Sequence, residues 1–80
     1  MKMKHYESDE WSHHSERART QEQLQEMAGM IRRNCKTERI DDMGDYFCTI
    51  YTNEALGLRY WIHDSFGHIS EIIEGRSYAA

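Results

Sequence analysis

The 80 residues predict an α+β fold, with one N-terminal amphipathic helix packed on a three- to four-stranded antiparallel β-meander. Three observations carry that prediction. From Glu16 to Arg33 the chain is dominated by good helix formers, with apolar residues at helical spacing. Beyond Asn34, Gly44, Gly57, Gly67 and Gly75 punctuate segments rich in Tyr, Phe, Ile, Thr and Trp, the composition of short strands and turns. There is no proline, so neither pattern is interrupted.

Residues 1–14 are polar apart from a few side chains, of which Trp11 is the largest, and they read as a flexible arm ahead of a single domain spanning residues 15–80. Ser12 and Ser15 are both suited to cap the helix, and Glu16 supplies an acid for its first turn. Leu24, Met27, Ala28 and Ile31 then fall at i, i+3, i+4 and i+7, one apolar stripe along the later turns. Arg32 and Arg33 complement the negative helix end, and Asn34 is a suitable terminator.

Three strands are expected at about Tyr46–Thr52, Leu58–His63 and His68–Glu74, preceded by a weaker one at Lys36–Ile40 that leads into them through a turn at Asp41–Gly44. Asp64-Ser65-Phe66-Gly67 reads as a type I turn with a bulge, which pairs Asp64 with His68. Pairing Thr52 with Leu58 then sorts side chains onto two faces. Tyr46, Cys48, Ile50, Leu58, Tyr60, Ile62 and Ile72 form the floor for the helix. Phe47, Thr49, Tyr51, Arg59, Trp61, His63, Ile69, Glu71 and Ile73 form the other face. One helix covers one face, and a contiguous aromatic surface is seldom left bare. The arm through Trp11, a second copy of the chain or a different protein are the candidates to cover it.

Charge narrows the partner. The net charge of −4 arises wholly in residues 35–80, which hold four basic and eight acidic side chains. An acidic half disfavours a phosphate backbone and suits a basic protein surface. No apolar run has the length of a membrane span, and the N-terminus lacks the apolar core of a signal peptide. Two cysteines, Cys35 and Cys48, without an export signal fit reduced thiols and a cytoplasmic setting.

Chemistry-bearing motifs are sparse. Five histidines and two cysteines invite a metal, yet no CxxC or HxxxH spacing occurs, so no metal or cofactor is expected. The Asp41–Asp45 segment lacks the alternating ligands of a calcium loop. Cys48 alternates into the predicted core, and Cys35 follows the helix end least able to stabilise a thiolate. Arg59, His63 and Glu71 share a face with Trp61, as a small ribonuclease would need, and this is the enzymatic alternative. A nucleic-acid binder using Arg17, Arg19, Arg32 and Arg33 is the other.

The short, acidic, proline-free chain resembles in general character the accessory proteins of bacteriophages and other mobile elements, including inhibitors of host defence. That resemblance covers no motif and transfers no residue. Together these readings favour a non-enzymatic interaction module, a regulator or inhibitor that binds a basic protein surface, a second copy of itself, or both. Phe47, Tyr51, Trp61 and Ile73 are its expected anchors, and Asp41, Asp42, Asp45 and Glu71 its steering charges.

Overall fold

In the computed structural model, residues 2–12 and 17–76 are described. They form one five-stranded antiparallel sheet crossed by one helix: β1 (Lys2–Glu7), α1 (Gln21–Asn34), β2 (Lys36–Asp42), β3 (Phe47–Asn53), β4 (Leu58–Ser65) and β5 (His68–Arg76). The spatial order is β1-β5-β4-β3-β2, so the meander β2–β5 is extended by β1 on the far edge. The fold is therefore α+β as expected, but the helix sits mid-chain and the sheet has five strands. The polar segment read as an arm contributes β1, paired with β5 from Lys2↔Arg76 to Glu7↔Glu71.

Helix α1 begins at Gln21, later than the run of helix formers suggested. Thr20 is its N-cap: the Gln23 amide donates to Thr20 Oγ1 (3.2 Å), and Gln23 Oε1 accepts from the Thr20 amide (2.9 Å). This reciprocal capping box satisfies two backbone donors at once. Ser12 instead follows a short 3-10 turn at Asp9–Trp11, while Ser15 and Glu16 lie outside the described residues. The predicted stripe faces inward, with Leu24, Ala28 and Ile31 buried and Met27 packed beside them.

The helix is tied to the sheet at both ends. Gln21 donates from Nε2 to the Ile69 carbonyl (2.9 Å) and accepts the Ile69 amide on Oε1 (2.8 Å), so its side-chain amide takes the place of a strand neighbour. At the other end Asn53 Nδ2 donates to the Asn34 carbonyl (2.9 Å) and Arg32 Nε donates to the Tyr51 hydroxyl (3.2 Å).

Two register details redraw the predicted faces. The β3–β4 loop is a 3-10 turn, Glu54–Leu56, closed by Gly57 in the left-handed region (φ 63°), and it pairs Asn53 rather than Thr52 with Leu58. A one-residue slip reverses every side chain of a strand. Tyr51 and Thr49 therefore join the helix face, and Cys48 and Ile50 the other. The β4–β5 turn has two residues, Phe66 (φ 49°) and Gly67 (φ 88°), between paired Ser65 and His68. The bulge lies inside the ladder instead, where Asp64 pairs with Ile69 and His63 with Glu71. It leaves Ser70 over and turns Ile69 toward the helix, where it is buried with Ile62 and Ile72.

The helix-side core is thus Leu24, Ala28, Ile31, Tyr51, Ile62, Ile69 and Ile72. The opposite face is not a bare apolar surface: Ile50 is 2% exposed, Cys48 is buried, and Trp61 and Ile73 are half-buried. Arg59 lies over the Trp61 ring, 5.9 Å from its centroid, so long side chains of this face shield one another.

Candidate functional site

Cross-strand partners point to the same side of a sheet, so the register defines rows of neighbours. Two rows concentrate the polar chemistry. On the face away from the helix, one runs Glu7–Glu71–His63–Cys48–Asp41 across all five strands. On the helix face, at the end beyond the start of α1, the other runs Ile69–Asp64–Phe47–Asp42.

Glu71 is the centre of the first row. His63 Nδ1 contacts its Oε1, and His5 Nε2, reaching across from β1, contacts its Oε2. Hydrogen bonding from His63 holds the Glu71 carboxyl down at about 2; burial opposes this, and His5 reinforces it. His5 Nε2 is also 3.8 Å from Glu7 Oε1. His5, Glu7 and Glu71 bring three potential ligand atoms within 4.8 Å of one another. The Tyr46 ring packs on His63 with centroids 4.9 Å apart. Beside these groups opens a cleft of about 510 Å³ lined by Trp11, Asp45, Tyr46, His63 and His68 together with Glu7 and Glu71.

Among the described residues, neither cysteine is set up as a nucleophile beside this row. Burial first, then the charges of Asp41 and Glu71, push the Cys48 thiol up, which keeps it protonated. Cys35 is likewise raised by burial. Ser70 Oγ donates to the His63 carbonyl at 3.3 Å, and so is held by the backbone. The ribonuclease constellation is brought together only in part. His63 and Glu71 are in contact, but Arg59 pairs with Glu38 at 2.7 Å, and among the described residues no guanidinium lines the cleft.

The second row runs from buried Ile69 through half-buried Asp64 to exposed Phe47 and Asp42. Phe47 (42% exposed) stands directly between Asp42 on β2 and Asp64 on β4. Ile40 (63% exposed) lies on the same face one row away, and Met43 is exposed in the adjoining loop. Phe66, fully exposed, projects from the β4–β5 turn at the same end. α1 packs on β5 and β3 and leaves this corner uncovered.

The eight residues expected to form one contact surface are therefore divided. Phe47 and Asp42 share the exposed corner. Tyr51, placed by sequence beside Trp61, is buried under α1 with its hydroxyl taken by Arg32. Trp61 and Ile73 are cross-strand partners on the opposite face. Asp41 is also on that face and accepts from Arg39 (3.2 Å), Asp45 lines the cleft, and Glu71 is held by its histidines. Among the arginines assigned to the helix, Arg17 and Arg19 precede it, and Arg19 lies over the Tyr6 ring at 4.7 Å. Sequence spacing missed His5 and Glu7 because their partner is more than sixty residues away, and it missed Ile40, Met43 and Phe66 because each stands singly.

No helix among the described residues is long and apolar enough to cross a membrane. Compared with protein-family models, curated proteins and solved structures, the chain matches none.

Proposed function

We propose that this chain is a small binding module that acts stoichiometrically, as a regulator or inhibitor, on a protein partner with a basic surface. The observation that carries this reading is the row Asp42–Phe47–Asp64, an exposed aromatic ring with a carboxylate directly opposite it on each neighbouring strand. An aromatic face beside two carboxylates suits a lysine or arginine side chain, which gains both ring and charge contacts. Ile40, Met43 and Phe66 add apolar area around it, as contact surfaces with anchored centres require. Phe66 and Gly67 both hold a positive φ (49° and 88°), as the favoured two-residue hairpin turn requires, and this turn carries the fully exposed Phe66 at its tip. A second copy of the chain suits this corner poorly. A two-fold contact through it would set carboxylates against carboxylates.

A short peptide of alternating arginine and leucine, titrated against the labelled chain, tests the reading. The expected amide shifts fall at residues 40–47 and 64–66, weaken with added salt, and spare the exposed side of α1. Phe47→Ala and the double change Asp42→Asn/Asp64→Asn each weaken binding about tenfold, the effect of losing an interface anchor. Shifts centred elsewhere, or affinity unchanged in both variants, would overturn it.

A further inference from the structure

On the opposite face, and independently of the Phe47 corner, we infer that the cleft lined by Trp11 and Tyr46 is a binding site for a small methylated ammonium ion, free or at the end of a methylated lysine side chain. Its volume, about 510 Å³, is that of a small-ligand site. Its lining sorts ligands by charge. Among the described residues it holds no lysine or arginine, so a phosphate or carboxylate ligand would meet carboxylates with no strong cation to pair with. Its two imidazoles each have an acid beside them: His63 contacts Glu71, and His68 Nε2 lies 3.8 Å from Glu10 Oε2. Glu7 and Glu71 have partners of their own. Asp45 differs, for it is exposed at the cleft and no ion pair reaches it among the described residues.

The aromatic lining selects a cation with an apolar shell. Trp11 is 54% exposed, and its indole N–H meets no acceptor among the described residues. Backbone bonds, rather than burial of the ring, set its position. Trp11 N donates to the Ser8 carbonyl (2.9 Å) and closes the turn that carries it. Ser8 N donating to the Ser70 carbonyl and Asp9 N to the Arg19 carbonyl, 3.0 Å each, fasten that turn to the rest of the fold. An indole placed in advance loses little freedom when a ligand covers it. On the other side Tyr46 is held against His63, with ring centroids 4.9 Å apart. A ring face attracts a cation through its quadrupole, and methyl groups on the nitrogen add apolar contact while removing its need for hydrogen-bond acceptors. Asp45 supplies the countercharge.

The test is titration of the labelled full chain with choline at constant ionic strength, read from the backbone amides and from the indole N–H of Trp11, whose signal Trp11→Phe identifies. The expected result is saturable one-to-one binding with shifts at Trp11, Asp45, Tyr46, His63 and His68. The uncharged dimethylbutanol of the same shape is expected to bind at least tenfold more weakly. Trp11→Ala should weaken choline binding about tenfold and Asp45→Asn about threefold. Glu26→Gln, which removes an equal charge from the exposed side of α1, binds as the wild type does. Circular dichroism checks that the variants fold, and the preference for choline over dimethylbutanol decides without any variant. A peptide with one trimethyllysine separates the two sources: binding tighter than choline assigns the site to a partner's side chain, weaker binding to a free ion. Absence of saturation, equal affinity for dimethylbutanol, or full affinity in Trp11→Ala would overturn the assignment.

Discussion

Tyr60 couples the helix-side layer to pH through a single hydroxyl. Burial, then the hydrogen bond it donates to Glu74 (2.8 Å) and the charge of that carboxylate, push its pKa up to about 12. In the unfolded chain it titrates near its ordinary value of 10.0. The folded state therefore holds a proton that the unfolded state has lost between about pH 10 and 12. Its contribution is complete below pH 10 and disappears as pH rises through that window. Chemical denaturation of wild type and Tyr60→Phe at intervals from pH 8 to 12 measures this. The wild type should lose stability more steeply above pH 10, and parallel curves would show that Tyr60 is not the coupled group. Glu71 illustrates a different lesson at this scale. Its glutamate identity was readable as a charge, but not its function as the acceptor for two histidines, since one of them lies on a strand with almost no apolar pattern.

Among the elements, α1 was legible because its information is local: Leu24, Ala28 and Ile31 repeat at helical spacing and are the residues buried. Its start was not, because helix formers upstream of Thr20 outweighed the quieter Thr20–Gln23 capping signal. Thr20→Ala should remove that cap and cost about 1 kcal/mol, read from the denaturant midpoint. An unchanged midpoint would mean that the Gln21–Ile69 clamp alone fixes the helix start. The strands of the meander were legible from their β-branched and aromatic runs, but their faces were not. Register depended on loop details worth one residue each, the Asn53–Leu58 closure and the bulge at Ser70, and each reverses or redirects the side chains that follow. β1 escaped notice because Lys2, Met3, Lys4 and His5 carry no strand signature. Among its described side chains Tyr6 packs against the core, and pairing with β5 supplies the rest.

For the molecule as a whole, the question left by composition is whether the chain meets itself or another protein. Its edges argue against pairing with a second copy. β2 has one strand neighbour, but it carries Lys36, Glu38, Arg39, Asp41 and Asp42, and its ladder is irregular between Thr37 and Arg39. Charges and a bulge are the devices that discourage edge-to-edge pairing. The end of β1 is flanked by residue 19, bridged to Ser8, with Arg19 N donating to the Glu7 carbonyl and Asp9 N to the Arg19 carbonyl. The apolar corner around Phe47 repels its own copy through Asp42 and Asp64, while the −4 net charge adds a weaker repulsion at longer range. Light scattering across a tenfold dilution at physiological salt should therefore return the mass of one chain, 9.6 kDa, throughout. A mass that doubles with concentration would locate a self-contact. Repeating the series with Phe47→Asp would then show whether that contact consumes the corner assigned to a basic partner. If the dimer persists in that variant, the corner is free and the binding proposal stands. If it dissolves, the partner of this surface is the chain itself.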